Sequence, residues 1–243
     1  MEKIFKVVKN GPVADGVYEI VLRGDCALIK KPGQFVNVKI DGFYLRRPLS
    51  VCDASGDLLT LIYKVAGRGT EALAGIRADA ELSLLTGLGN GYDTSKCGSR
   101  PALIGGGVGV PPMYLLAKRL ISEGKKPLVV LGFNKKSEVF YEERFKELGA
   151  EVRVAVLDGS YGIKGLVTDA VSDADGADYF FACGPEKMLK AVSDRLSCDG
   201  QLSFEKRMGC GFGACMGCSC KTKYGQKRIC KEGPVLEKGE IIW

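Results

Sequence analysis

Histidine is absent from the 243 residues of this chain. Its absence excludes, within the chain, a histidine-based triad or general base, zinc held by paired cysteines and histidines, and the mixed ligation of a Rieske centre. Long apolar runs are missing too. The longest uncharged stretch, residues 101–117, carries Gly105, Gly106, Gly107 and Gly109 ahead of Pro111 and Pro112, which is no membrane span. The opening segment MEKIFKVVKN alternates charged and apolar residues and has no apolar centre of the kind a secretory signal needs. Nor is there a dense basic stripe. Net charge is +6, but the basic clusters at 30–32 and 221–228 are short, so a solvated surface is expected rather than a nucleic-acid partner. A cytoplasmic protein with no membrane contact is expected.

Cysteine, by contrast, is plentiful, with ten in the chain. Cytoplasmic thiols stay reduced, so metal or redox chemistry explains them better than disulfides. Cys210, Cys215, Cys218 and Cys230 give the spacing C-x4-C-x2-C with a distant fourth, the plant-type [2Fe–2S] pattern. Four thiolates must converge on one small object, and Gly209, Gly211, Gly213 and Gly217 allow the backbone to close around it. Phe212, Ala214 and Met216 are expected to limit the access of water. Zinc on four cysteines would use the same thiols, but zinc sites favour paired short gaps, and here one gap is four residues and the other two. Cys220 competes for the fourth place. A C-x-C pair leaves little loop to reach around a cluster, which favours Cys230. Cys26, Cys52, Cys97 and Cys198 read as ordinary small thiols.

The fold class reads as multidomain. Residues 1–97 show short alternating segments such as VYEIVLRG, QFVNVKI and LTLIYKV between Gly, Asp and Pro turns, which predicts an antiparallel β-barrel with one helix near 69–76. Residues 98–199 alternate apolar strands with helical stretches, which predicts an α/β domain with a parallel sheet. Helices are expected over PPMYLLAKRLISEG, SEVFYEERFKELG, LVTDAVSDA and PEKMLKAVSDRLS. Residues 200–243 are too few for a core of their own, and the small cysteine-rich C-terminal domain needs its metal as a staple.

Two glycine junctions sit in the α/β segment. LIGGGVGVPP, with Gly105, Gly106, Gly107 and Gly109, lies between a buried strand and a helix start, where backbone N–H groups and the helix dipole suit a diphosphate. It matches neither G-x-G-x-x-G nor a P-loop. FFACGPEKML places Cys183, Gly184 and Pro185 at the end of another strand of the same sheet, where α/β proteins bind ligands. In the barrel, Arg47 offers a planar fork to phosphate, and Gly69 with Thr70 opens the predicted helix.

A barrel carrying R-x-x-S and G-T, followed by an α/β domain with GGGVG and CGP, resembles the ferredoxin–NADP reductase superfamily. The added tail CGFGACMGCSC…RIC, over the full length of the chain, is similar to the electron-transfer subunits of NAD-dependent (class 1B) dihydroorotate dehydrogenases. The resemblance implies an FAD site at Arg47, Pro48, Leu49 and Ser50, with the strand Ile62, Tyr63 and Lys64 along the flavin and Gly69 and Thr70 at its phosphates. It implies an NAD site at Gly105 to Gly109, with Cys183 beside the nicotinamide and Gly184 and Pro185 following. Leu49 stands where the superfamily often has a tyrosine, so another residue must cover that flavin face.

A nicotinamide exchanges two electrons together and an iron–sulfur cluster takes one, so a nucleotide site and a cluster in one chain call for a flavin between them. No acid–base pair for an organic substrate stands out. The resemblance implies that dehydrogenation occurs on an FMN-containing dihydroorotate dehydrogenase catalytic subunit, in a heterotetramer of two subunits each, serving pyrimidine biosynthesis. Rival readings are the small subunit of a bifurcating ferredoxin:NADP reductase or sulfide dehydrogenase, a standalone NAD(P)H reductase, and a zinc-stapled regulatory module. Some of those relatives have aspartate where this chain has Cys210. Lys135 and Lys136 leave NAD against NADP open.

Overall fold

Alternation of apolar and polar residues builds the first part of the chain, since successive strand residues face opposite sides. A computed structural model describes all 243 residues. Strands β1 (Glu2–Ala14), β2 (Val17–Arg23), β3 (Phe35–Val38), β4 (Arg47–Ser55), β5 (Leu58–Lys64) and β6 (Glu81–Leu88) close a barrel in the order β1-β2-β5-β4-β3-β6. Every pairing within it is antiparallel. Closure removes the edges that would otherwise pair with other chains. Phe5, Ile20, Leu22, Val36, Leu59, Leu61, Tyr63 and Leu84 fill the interior. A short helix, α1 (Arg68–Ala74), lies between β5 and β6 and plugs the barrel with Leu73.

The second sheet has seven strands in the order β10-β9-β8-β7-β11-β12-β15. They are β7 (Ala102–Gly106), β8 (Leu128–Phe133), β9 (Glu151–Val156), β10 (Ile163–Lys164), β11 (Phe180–Cys183), β12 (Gly200–Ser203) and β15 (Val235–Glu237). All neighbours are parallel except β15, which runs antiparallel to β12. Strand order reverses at the β7–β11 pair, so the crevice beyond their carboxyl ends is the topological switch point. Helix α2 (Val110–Ser122) has prolines in its first turn and buries Val110, Met113, Leu116, Ala117 and Leu120 along one stripe. It packs between β7 and barrel strand β4, where Lys118 meets both carboxylate oxygens of Asp53 at 2.7 and 2.8 Å. The last long helix is α4 (Glu186–Arg195).

Two expected helices come out differently. Only Glu142–Glu147 of SEVFYEERFKELG forms an α-helix, α3, because Tyr141 before it takes a left-handed φ of 68°. LVTDAVSDA forms no α-helix. It makes separate 3₁₀ turns at Val167–Asp169 and Asp173–Asp175, each closed by an aspartate accepting from the backbone N–H three residues earlier. Asp and Ser side chains compete for backbone groups in this way, and that competition overrides the apolar spacing. The tail is also not wholly separate. Its strands β12 and β15 extend the second sheet, and only the hairpin β13 (Ser219–Thr222) and β14 (Gly225–Arg228) stands apart.

Candidate functional site

The register of β7 on β11 sets Cys183 opposite Gly105, so the two glycine junctions, eighty residues apart in sequence, lie side by side at the switch point. The four glycines do different work there. A Cβ at Gly105 would stand 2.9 Å from the Val110 Cα, and one at Gly109 would overlap the Cys183 carbonyl. These two let α2 and β11 close on the loop. Gly106 similarly yields to the Met188 sulfur. Gly107 alone has open space around it and a φ of +54°, so it offers bare backbone to a ligand.

Two adjoining cavities open here. The larger, ≈ 560 Å³, is lined by Gly106, Gly107, Val108, Gly184, Pro185, Phe133, Asn134 and Met188, with Lys64 and Glu205. The smaller, ≈ 280 Å³, lies between barrel and sheet and is lined by Pro48, Leu49, Ser50, Ile62, Tyr63, Lys64 and Cys183, together with Phe35, Phe204, Glu205, Met208 and Pro234. Lys64, Val108 and Glu205 border both. A flavin edge in the smaller cavity and a nicotinamide in the larger would therefore meet along one wall. Strand alternation divides the roles of β5. Ile62 packs toward the sheet domain, whereas the Tyr63 ring turns into the barrel core, with its hydroxyl donating to the Asn10 amide oxygen at 2.9 Å. Burial pushes the Tyr63 phenol up to about 12.

Arg47, Gly69 and Thr70 line neither cavity but form a cradle of their own. The Arg47 guanidinium lies so close over Gly69 that a Cβ there would overlap it, and it also stands 5.1 Å above the Phe43 ring. The Thr70 hydroxyl accepts from the Ala66 N–H at 2.9 Å and holds the turn entering α1.

Cys183 is buried, and that burial pushes its thiol up to about 12, so it stays protonated near neutrality. Glu205 stands at the shared wall; the residue is exposed as a whole, but the protein packed around its carboxyl desolvates it and raises it above the usual range. Phe35, Phe204, Glu205 and Met208 escaped the sequence reading. Phe204 and Glu205 follow β12, and the rule that ligands gather at strand carboxyl ends would have found them had residues 200–203 been read as a sheet strand. Phe204 and Met208 line the smaller cavity together with Leu49.

The cysteine loop folds as glycine permits, with Gly211 at φ 76° and Gly213 at φ 93°, while Gly209 and Gly217 need no left-handed backbone. Its thiols gather as two pairs. The Cys215 backbone N–H donates to the Cys210 sulfur at 3.4 Å, and the Cys218 and Cys230 sulfurs lie 3.2 Å apart. The four do not form a single tight group of three or more. Two pairs of thiols are a soft donor set that would suit a [2Fe–2S] cluster, and the same set would also suit zinc. Backbone N–H groups of Ala214 and Cys215 point at the Cys210 sulfur, at 3.3 and 3.4 Å. Burial opposes ionisation of Cys210, but these donors, the Phe212 N–H and the Cys215 thiol outweigh it and bring it down to about 6. Cys230 goes the other way, to about 12, through burial and the neighbouring Cys218 thiol. Cys220 lies on β13 opposite Lys227, half-buried and raised by burial. Phe212 and Met216 do not shield the loop within this chain. They are 54% and 53% exposed, and Ala214 is exposed too.

No helix is long and apolar enough to cross a membrane. Residues 205–242 match the iron–sulfur cluster binding domain of dihydroorotate dehydrogenase B, and residues 103–194 match the oxidoreductase NAD-binding domain. The electron transfer subunit of dihydroorotate dehydrogenase B (NAD(+)) from Shouchella clausii is 42% identical, over 97% of this chain and 96% of its own length. Its counterpart from Fusobacterium nucleatum is 41% identical over the same shares. Among solved structures, that of an NADH-dependent reduced ferredoxin-NADP oxidoreductase superposes with a TM-score of 0.88 at 28% identity, covering 98% of this chain and 90% of that one. The ferredoxin reductase of carbazole 1,9a-dioxygenase shares the fold, with a TM-score of 0.68 at 20% identity over 80% of this chain.

Proposed function

Because this chain belongs to the family of electron transfer subunits of dihydroorotate dehydrogenase B, we propose that it carries electrons from a dihydroorotate-oxidising partner to NAD+ in pyrimidine biosynthesis. The observation that carries the reading is the meeting of two cavities along one wall, in a chain whose tail gathers four thiols. FAD supplies the exchange between paired and single electrons, and the [2Fe–2S] cluster passes them singly.

The residues take the following parts. Pro48, Leu49, Ser50, Ile62, Tyr63 and Lys64 hold the flavin, and Arg47, Gly69 and Thr70 receive its phosphates. Gly105, Gly106, Gly107 and Gly109 shape the nucleotide loop, with Gly107 meeting the diphosphate. Cys183, Gly184 and Pro185 border the nicotinamide. Cys210, Cys215, Cys218 and Cys230 ligate the cluster. Residues 1–97 serve the flavin and 98–199 the nucleotide, while 200–243 serve the cluster and also lend β12 and β15 to the second sheet. The exposed Phe212 and Met216 beside the cluster loop support a subunit interface there, where an FMN-bearing catalytic subunit would dry the loop. We assign a heterotetramer of two subunits each and a cytoplasmic location.

The test is anaerobic co-purification with that partner. Expected are iron near two per chain, a flavin–cluster spectrum that bleaches with NADH, and NAD+ reduction that depends on dihydroorotate. Zinc in place of iron, or no dihydroorotate dependence, overturns the reading. The likeness to the NADH-dependent reduced ferredoxin-NADP oxidoreductase favours one second reading, the small subunit of a bifurcating complex. Reduced-ferredoxin-dependent reduction of NADP+ with a different partner would select it.

A further inference from the structure

We propose that Asn37 is a positioning residue that ties the cluster loop to the flavin barrel. Asn37 is the one polar residue of β3, in the run Phe-Val-Asn-Val, and it is 1% exposed. Its side-chain amide donates at 3.2 Å to the backbone carbonyl of Cys210, 173 positions away. Gly211 makes room for it, since a Cβ there would overlap the amide nitrogen. The amide oxygen is a buried side-chain atom with no partner. Val36 and Val38 fill the barrel core, so Asn37 alternates to the outer face, toward the cluster loop. A buried seam gains nothing from an amide with half its bonding capacity unspent, and an apolar residue would fill the place at lower cost. The bond to the loop is what the amide supplies.

The position matters because of what lies beside it. β3 contributes Phe35 to the smaller cavity, and Asn37 pairs in register with Pro48, which lines that cavity too. The same strand is braced by Arg46, which donates to the Asn37 carbonyl at 3.4 Å and to the Ser83 carbonyl at 3.1 Å. One side chain thus joins the strand pair walling the flavin cavity to the backbone of the first cluster cysteine. The spacing between flavin and cluster, and the pose of Cys210 toward its metal, are set through this bond. The inference rests on the reading of Cys210 as a cluster ligand.

Asn37→Asp keeps the shape and removes the donor, placing an oxygen against a carbonyl. Asn37→Leu removes both bonding groups and adds no charge, so it serves where the aspartate variant fails to retain FAD. In the folded variant, FAD content and the rate of FAD reduction by NADH should match the parent chain. Iron release to a chelator should quicken about fivefold, the equivalent of one net hydrogen bond of about 1 kcal/mol. The g-values of the reduced cluster should shift. Parent-like iron release and g-values overturn the proposal. Cys210→Ser separates the two readings. If that variant keeps a normal cluster, the ligand assignment fails and takes the Asn37 role with it. If it loses the cluster while Asn37→Leu behaves as the parent chain, only the role of Asn37 fails.

Discussion

Of the four paired cysteines, Cys215 is the exposed residue, and its N–H donates to the Cys210 sulfur. Cys215→Ser replaces a soft thiolate by a poor hydroxyl ligand, at little cost to packing. The expected outcome is loss of the cluster's visible and paramagnetic signals and of partner-dependent turnover, with FAD reduction by NADH intact. Retention of a normal cluster would defeat the ligand assignment. Glu205 permits a test by pH. Glu205 is exposed as a whole, but partial desolvation at the shared wall raises its carboxyl in the folded chain above its unfolded value, so the effect is small. The folded state therefore holds the proton to higher pH than the unfolded state does. The stability that this one group contributes is fully present below the ordinary carboxylate range and is lost as pH rises through the raised value. Glu205→Gln should flatten that fall, as denaturant titrations across mildly acidic to neutral pH would show. An unchanged pH profile would mean the carboxyl is better solvated than its position at the shared wall indicates.

At the scale of elements, the glycine junction predicts a contrast between neighbouring substitutions. Gly107→Ala meets no atom but must hold φ at +54°, a strain of about 1–2 kcal/mol. It should fold, keep FAD and weaken NADH binding, seen as a raised KM beside a fall in melting temperature of about 2–8 °C. Gly109→Ala drives a methyl into the Cys183 carbonyl and forces α2 from β11. Overpacking of this kind costs about 1–3 kcal/mol, and it should appear as lower thermal stability and poorer FAD retention. Equal behaviour of the two would contradict the division of labour among these glycines. The motif LIGGGVGVPP was legible as a glycine junction between strand and helix, but which glycine has open space beside it was not, because that depends on β11, brought in from about eighty residues further on. The barrel, the alternating sheet and the cysteine spacing were legible for a local reason: period, turn residues and ligand gaps are written within short windows. The 3₁₀ turns at Val167–Asp169 and Asp173–Asp175 were not, since apolar spacing there mimics a helix while aspartates close each turn. Phe204 and Glu205 were hidden because β12 is four residues long and is recognisable as a strand mainly by its pairing with β11 and β15.

At the scale of the molecule, both cavities depend on how the barrel sits on the sheet domain. Several polar ties cross that seam, Lys135 with Asp15 and Lys64 with Glu138 among them, and two lie beside the helices. Lys118 of α2 holds Asp53 of β4, and the Tyr141 hydroxyl, ahead of α3, donates to Glu19 of β2 at 2.7 Å. Glu19 is 6% exposed, and its other oxygen takes Lys9 at 3.2 Å. The Tyr141 ring packs edge-on against Tyr114, with centroids 5.1 Å apart, so Tyr141→Phe keeps the packing and deletes only the hydroxyl. A buried carboxylate oxygen then loses its donor, at a cost of about 1–3 kcal/mol. For a chain of this size each kcal/mol lowers the melting temperature by about 2–4 °C. The same change loosens the seam that sets the flavin edge against the nicotinamide, so NADH-dependent reduction of FAD should slow while the cluster spectrum stays as it was. Stopped-flow absorbance at the flavin band separates these effects. A lower melting temperature with an unaltered flavin reduction rate would show that the tie holds the domains together without setting the distance between their cofactors.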